Sequence, residues 1–241
     1  MNRTVRTAVL LLLAAIVAGA CAVRLGGPSP AEYNAVALSA PAGATAAEIG
    51  GRLRASNAHA VLLSADQDSA WFAAVAAESR LELSGPGEVN GRRFAFLSNL
   101  EILGDTTLTL EVTGGGSVHM HDALYRVDRY RYLDLMMVRI DAENLRAAVQ
   151  TLFGYIATDV AADAAVLLAI DGPTPAAADS VAVLMRAHYT SSAECRDADL
   201  PDAAGLPIRL LFGPSARISC RSVRHLGGTA PGINARVVVG R

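Results

Sequence analysis

Two short segments of this chain are apolar almost without interruption, and they limit the folds that it can adopt. Residues 58–65 read AHAVLLSA and residues 164–170 read AAVLLAI. A run of this length with no polar face is typical of a strand that is buried on both faces, as in a parallel sheet covered by helices. The sequence therefore predicts an α/β fold.

Segments of helical period surround the first apolar run. A strand predicted at 33–40 precedes a helix whose start carries the capping-box residues Thr45 and Glu48. A second helix is predicted over 68–79, where apolar residues recur at helical spacing. The order is strand, helix, strand, helix.

The same order occurs around the second apolar run. A strand predicted at 133–140 precedes an amphipathic helix, for which Asp141 is the expected N-cap and Leu145–Ile156 the apolar stripe. After the run, Thr174 and Pro175 form a cap followed by proline at the first helical position.

These patterns predict two small βαβα units flanking a β-hairpin segment, with a short disulfide-pinned β tail. The first unit with the hairpin covers 32–132, and the second unit with the tail covers 133–241. The two apolar runs are similar in sequence, which also raises the hypothesis of an internal duplication, although alanine-rich segments resemble one another readily.

The hairpin carries a candidate metal site. If Gly114–Gly116 forms a three-residue loop, Glu111 lies opposite His119 and beside His121. Two imidazoles and a carboxylate on one face of a hairpin could hold Zn or Fe. The alternative is a solvated cross-strand His–Glu pair.

Three aspartates stand where a predicted strand gives way to a helix: Asp66, Asp141 and Asp171. Ligands of open α/β sheets bind at that edge, where carboxylates can hold Mg²⁺ or act as acid and base. Aspartate is also a common N-cap, and capping is the preferred interpretation.

A dense tyrosine and arginine segment follows the hairpin. Both residue types are enriched at interaction hot spots, since they offer flat area and forked donors. The segment predicts a partner-binding surface made of Tyr125, Arg126, Arg129, Tyr130, Arg131 and Tyr132. Internal salt bridges to the neighbouring aspartates are the alternative.

The N-terminus resembles an export signal. Arg3 and Arg6 precede an apolar stretch that ends in small residues before Cys21. We predict that residues 1–20 are a signal peptide or N-terminal membrane anchor, that Cys21 is lipidated, and that 21–31 form a tether. An uncleaved anchor helix is the alternative.

The two remaining cysteines, Cys195 and Cys220, are predicted to form a disulfide in an oxidising compartment. Two unrelated buried thiols are the alternative.

Composition excludes several chemistries. All 21 basic residues are arginine, so Schiff-base chemistry and phosphate-cradling lysines are absent. No nucleophile elbow, Walker-type loop or dinucleotide fingerprint occurs. The net charge of −2 gives no reason to expect nucleic acid.

From these features we predict a membrane-anchored extracytoplasmic accessory or scaffolding protein, on the periplasmic side of the cell envelope, with no cofactor. Its partner would be an integral membrane complex, such as a respiratory, light-harvesting, transport or secretion assembly, with no nucleic acid. The alternatives are an envelope metal-dependent hydrolase that uses the histidine hairpin, and a small solute-binding lipoprotein.

Overall fold

Two β-sheets face each other in this protein, with two helices on the outer face of each. The computed structural model describes residues 31–89, 92–172, 174–191, 194–195, 197–199, 208–226 and 232–240. The helices are α1 (Ala46–Ala55), α2 (Ser69–Ser79), α3 (Leu145–Asp159) and α4 (Pro175–Met185). The strands are β1 (Ala31–Ala40), β2 (Ala60–Ala65), β3 (Glu82–Val89), β4 (Arg92–Ser98), β5 (Glu101–Glu111), β6 (Ser117–Asp128), β7 (Arg131–Asp141), β8 (Ala164–Asp171), β9 (Thr190–Ser191), β10 (Asp197–Asp199), β11 (Ile208–Gly213), β12 (Ile218–Leu226) and β13 (Gly232–Val239).

The first sheet has seven strands in the order β10-β12-β13-β1-β2-β4-β3, and the second has six in the order β5-β6-β7-β8-β11-β9. Each sheet contains one parallel pair joined through a helix: β1 and β2 through α1, and β7 and β8 through α3. Antiparallel pairs extend both sheets on either side. Because each of these pairs is parallel, the carboxyl ends of β1 and β2 lie at the same edge of the first sheet, and those of β7 and β8 lie at the same edge of the second.

Three apolar clusters hold the four layers together. The cluster between the sheets includes Phe94 and Phe96 from the first sheet and Leu135 and Leu167 from the second. A second cluster joins the first sheet to α1 and α2, and a third joins the second sheet to α3 and α4. Strands β2 and β8 are buried along their whole length, since both of their faces lie in a core. The two uninterrupted apolar runs thus sit where the sequence predicts.

The helix starts follow ordinary capping rules. Thr45, Asp68 and Thr174 accept hydrogen bonds from backbone amides three residues on, and Pro175 occupies the first turn of α4. The cap of α3 is Asn144, because β7 extends to Asp141 and the helix begins later than predicted. The expected cap at Asp141 is therefore wrong.

The two edge strands β3 and β5 approach each other along one side of the sandwich. Gly87 in β3 lies so close to β5 that an added Cβ would come 2.3 Å from Thr107 Oγ1. Strand β3 is missing from the sequence prediction because Gly85, Pro86 and Gly87 indicate a turn. The structure places them in a strand with a bulge between Ser84 and Gly87.

The α/β class and the disulfide are confirmed, but the predicted layout of the units is not. The hairpin segment joins the same sheet as β7 and β8, and the tail strands are divided between both sheets. Residues 31–241 group as one compact unit. In the part of the chain that the structure describes, no helix is both long enough and apolar enough to span a membrane.

The Cys195–Cys220 disulfide connects the segment before β10 to β12, with the two Cα atoms 5.3 Å apart. The two cysteines are 25 residues apart, so the bridge removes loop entropy from the unfolded chain. The Cys195→Ser, Cys220→Ser double variant should lose about 3 kcal/mol of unfolding free energy, measured by urea denaturation. Reductant should lower the stability of the wild type to that of the variant and leave the variant unchanged. Equal stability of the oxidised wild type and the variant would contradict this prediction.

Candidate active site at the end of the sandwich

At one end of the sandwich, the side chains that point between the sheets change from apolar to polar. On β1 the inward positions run from Ala35 and Ala37 to Ser39, and on β8 they run from Ala169 to Asp171. Alternation along a strand keeps these residues on the same face as the core below them. The polar residues therefore cap the inter-sheet core where the strands end.

The centre of this end is the buried carboxylate of Asp171, which is 1% exposed. Ser64 Oγ donates to Asp171 Oδ2 at 2.7 Å, and Arg92 Nε lies 2.8 Å from the same oxygen. Arg92 Nε also lies 2.7 Å from Ser64 Oγ, while its Nη2 donates to Ser39 Oγ at 2.5 Å. Asp171 belongs to the second sheet and its partners to the first, so the contacts join the two sheets.

Two more residues of the second sheet complete the group. Arg139 Nη1 lies 3.8 Å from Asp171 Oδ2, and His119 is the residue directly opposite Arg139 on the next strand. We call Ser39, Ser64, Arg92, His119, Arg139 and Asp171 the end site.

His119 is held by hydroxyl groups on its own hairpin. Its Nδ1 lies 3.0 Å from Thr109 Oγ1, and its Nε2 lies 2.8 Å from Ser117 Oγ. Burial lowers the pKa of His119, and the positive charge of Arg139 lowers it further, against the opposing effects of Asp141 and Glu111. The imidazole is therefore neutral at pH 7, where it can accept a proton.

The end site suits an anion. Two guanidinium groups face a single carboxylate, which leaves one net positive charge, and their side chains remain 23% and 28% exposed. Planar guanidinium groups match the oxygens of carboxylates and phosphates. The Ser39 and Ser64 hydroxyls add short polar groups beside them.

The residues present do not fit a divalent metal ion. Metal ions that assist phosphoryl chemistry are commonly held by several carboxylates or histidines. Asp171 is the acid of the end site, and Ser64 and Arg92 already bind its Oδ2. Nowhere in the described ranges do three His, Cys, Asp or Glu side chains come together as a metal site.

The hairpin does not assemble the predicted Zn or Fe ligands. Val112 N binds Gly116 O, so the three-residue loop is 113–115 and not Gly114–Gly116, and the register shifts: Thr109, not Glu111, lies opposite His119. Thr107 lies opposite His121, while Glu111 is exposed and pairs with Ser117. Because the partner of His119 changes by two residues and side chains alternate along a strand, the residues of β5 that face the core are still those predicted.

His121 lies deeper between the sheets. Its ring stacks on Phe96 with centroids 4.7 Å apart, and its Nδ1 lies 3.1 Å from the carbonyl oxygen of Thr106. Because a carbonyl can only accept, Nδ1 carries the proton. Burial lowers the pKa of His121 despite the acids nearby. It is a core residue.

The three aspartates at strand ends have different environments. Asp66 and Asp141 are exposed, whereas Asp171 is buried in the end site. None of the three caps a helix, since the caps are Asp68, Asn144 and Thr174. The preferred interpretation as N-caps is therefore wrong for all three.

The tyrosine and arginine segment does not form one surface. Tyr125 and Arg131 are buried, and Arg131 pairs with Asp128 and donates to the carbonyl oxygen of Val239. Arg126, Arg129 and Tyr130 are exposed, and Tyr132 is half-buried. Cys21, the predicted signal or anchor at 1–20 and most of the tether lie outside the described residues.

Sequence reasoning missed four residues of the end site: Ser39, Ser64, Arg92 and Arg139. The available signal was the polar residue at an inward position near the end of an otherwise apolar strand, as in AVLLSA. Recognising it requires knowing which face of each strand points between the sheets.

Several solved structures share this fold. An endonuclease/exonuclease/phosphatase family protein from Bacteroides thetaiotaomicron matches with TM-score 0.68 and 8% identity, over 88% of this chain and 100% of that chain. TDP2 from D. rerio, complexed with a single-strand DNA product, matches with TM-score 0.56 and 11% identity, over 86% and 99%. An AP endonuclease from Archaeoglobus fulgidus matches with TM-score 0.55 and 10% identity, over 84% and 98%. No family model and no curated protein matches this sequence.

These likenesses establish the fold as the two-sheet sandwich of endonuclease/exonuclease/phosphatase proteins, and they overturn several predictions. The accessory or scaffolding subunit, with its lipoprotein description, is wrong, because proteins with this fold include an AP endonuclease. The partner prediction, an integral membrane complex with no nucleic acid, is wrong as well, because one neighbour is complexed with DNA.

The Asp171 carboxylate should matter for stability because it neutralises Arg92 between the sheets. Asp171→Ala should lower the unfolding free energy by about 3 kcal/mol, since removing one member of a buried ion pair leaves the other charge unpaired. The Asp171→Ala, Arg92→Met double variant should recover part of that loss. Urea denaturation of the wild type, Asp171→Ala, Arg92→Met and the double variant measures both effects. A double variant less stable than the sum of the two single changes would contradict the pairing.

Proposed function

We propose that this chain binds phosphate esters at the end site. The observation that carries the proposal is the convergence of Arg92, Arg139 and two serine hydroxyls around one buried carboxylate. Arrangements of this kind bind phosphoryl groups through charge-assisted hydrogen bonds. The site lies at the carboxyl ends of parallel strands, where α/β sheets commonly bind ligands.

Each residue has a distinct role in this proposal. Asp171 and the two serines fix the guanidinium of Arg92, so little side-chain entropy is lost when a ligand binds. Arg139 is farther from Asp171, at 3.8 Å, and is the group most able to turn toward a phosphate. Asp171 positions the arginines and does not contact the anion.

A terminal phosphate of single-stranded nucleic acid is the ligand class best supported. The fold is shared with a protein solved with a single-strand DNA product and with an AP endonuclease. The net charge of −2 argues against contact with a long phosphate backbone, which requires many cationic side chains. Recognition of one phosphate group, with salt dependence of about one ionic contact, agrees with both observations.

Binding is tested with a short 5′-phosphorylated single-stranded oligonucleotide, followed by fluorescence anisotropy. Arg139→Met should weaken binding by about 1.5–3 kcal/mol, the usual value of a hydrogen bond to a charged group. That is a loss of about tenfold to a hundredfold in affinity. Arg126→Met is the matched control, because Arg126 is exposed and pairs with Glu101 away from the end site.

The unphosphorylated oligonucleotide provides the second comparison. It should bind the wild type no better than the phosphorylated form binds Arg139→Met. Equal affinity of both oligonucleotides for the wild type, or equal losses in Arg126→Met and Arg139→Met, would overturn the proposed site.

Hydrolysis of the bound ester is a second candidate function, favoured by the neutral His119 beside Arg139. A neutral imidazole can remove the proton of an attacking water, with the arginines stabilising the developing charge. Because the pKa of His119 lies below its ordinary value, turnover should persist at pH 6.5 and fall only in more acidic solution. The measurement is release of nitrophenol from para-nitrophenyl phosphate, a monoester like the proposed ligand, in the presence of a chelator. His119→Gln should abolish turnover while leaving oligonucleotide binding intact, and no turnover by the wild type would reject hydrolysis without affecting binding.

We also propose that the chain is exported. The support is the basic and apolar N-terminus and the Cys195–Cys220 disulfide, which is typical of oxidising compartments.

A further inference from the structure

A second group of titratable side chains lies on the opposite face of the second sheet, beneath α3. Asp122 on β6 and Asp134 on β7 are diagonal neighbours in the antiparallel register, where Leu124 lies opposite Asp134. Both point away from the inter-sheet core and the end site, and both are buried. Burial of two adjacent carboxyls costs free energy unless something compensates them.

The compensation within the described residues is incomplete. Tyr155 on α3 donates from its hydroxyl to Asp122 Oδ2 at 2.6 Å. Asp134 shares a hydrogen bond with Asp122. Among the described residues, however, no donor reaches Asp134 Oδ1, although this side chain is only 2% exposed. A buried carboxyl oxygen without a donor indicates a missing partner.

The Asp134 carboxyl is protonated at neutral pH. Burial, and then the hydrogen bond and charge of Asp122, raise the pKa of Asp134 to about 10. The titratable groups that face the pair are Tyr155 and Asp159 from α3 and Tyr189 before β9. The Asp105 carboxylate on β5 lies on the other face of the sheet, where it accepts a hydrogen bond from Ser84 Oγ. All of them are acidic or neutral, so nothing described around the pair supplies a positive charge.

Asp134 lines a cavity of about 360 Å³ between β5, β6, β7 and α3. Asp122, Asp134 and Asp159 line it, together with Asp105, whose carboxylate is turned away toward Ser84. No arginine or histidine is among its described lining residues, and Leu103, Leu124 and Ala161 give it apolar walls. The cavity thus combines negative charge with apolar surface, at a size within the range of small-molecule sites.

We propose that this cavity binds a small organic ammonium compound, whose charged nitrogen donates to Asp134 Oδ1 and to Asp122. An ammonium group has three donors and no acceptor, which suits two adjacent carboxylates. The methylene groups of the ligand pack against the leucine and alanine walls. A bare metal ion fits less well, because the described residues bring no three metal-ligating side chains together.

Binding displaces the proton of Asp134. The positive charge of the ligand takes the place of that proton, so complex formation releases close to one proton to solution near neutral pH. Proton release distinguishes binding in this cavity from binding to an exposed carboxylate, which is already ionised and releases no proton.

Titration calorimetry of the full chain with 1,4-diaminobutane tests the proposal. We expect one site per chain with a dissociation constant below about 1 mM. The measured heat should change with the ionisation enthalpy of the buffer, which reports the released proton. The neutral analogue 1,4-butanediol should not bind.

Asp134→Asn is the informative variant, because asparagine resembles the protonated carboxyl in shape but cannot become negative. It should fold normally, weaken diamine binding at least about tenfold, and abolish proton release. Asp163→Asn is the matched control, since Asp163 is exposed and does not line the cavity. Oligonucleotide binding at the end site should be unchanged in both variants, because the cavity and the end site lie on opposite faces of the second sheet. This proposal does not depend on the proposed function.

Several results would overturn the proposal. They are the absence of diamine binding, equal binding of the diol, equal affinity in Asp134→Asn and the wild type, and heats that are independent of the buffer. Binding of Ca²⁺ or Mn²⁺ that excludes the diamine and is lost in Asp134→Asn would also overturn it in favour of a metal site.

Discussion

The Asp171 carboxylate joins the two sheets at the one end where their apolar contact stops. Below it, the sheets are held by a continuous layer of aromatic and aliphatic side chains. At the end itself, a carboxylate from one sheet binds an arginine and a serine from the other. Removing either charge leaves the other poorly solvated, so the interaction is more a constraint on which residues can occupy this end than a net source of stability.

The same constraint explains why the site favours anions. The charge of Asp171 is already offset by the guanidinium of Arg92, and its Oδ2 also accepts from Ser64, so a cation gains little there. The second arginine, Arg139, is then only partly neutralised at 3.8 Å. The fold brings these groups together from four strands that are distant in sequence, and the endonuclease/exonuclease/phosphatase sandwich provides that arrangement. The chemistry of the end site, however, depends on this chain's own residues.

Much of the fold could be predicted from the sequence because its signals are local. The apolar runs of β2 and β8 and the Thr45 and Thr174 caps depend on neighbouring residues alone. The predicted register of the β5–β6 hairpin is wrong because the loop that Val112 and Gly116 close begins one residue earlier than the three glycines indicate. The end site was missed because Ser39, Ser64 and Arg92 become a site only when two sheets are placed face to face. The alternation of apolar and polar residues predicts which face of a strand is buried, but not which residues of the other sheet lie opposite it.

The close approach at Gly87 determines how a ligand reaches the end site. Without a Cβ at this position, β3 and β5 come together and shut one long side of the sandwich. A larger residue at Gly87 would clash with Thr107, push strands β3 and β5 apart, and expose the His121 ring behind them. With that side shut, the proposed ligand would contact Arg92 and Arg139, whose side chains are partly exposed, before the buried Ser39 and Ser64. The absence of a side chain at Gly87 therefore keeps this side of the sandwich closed, although Gly87 is not part of the end site.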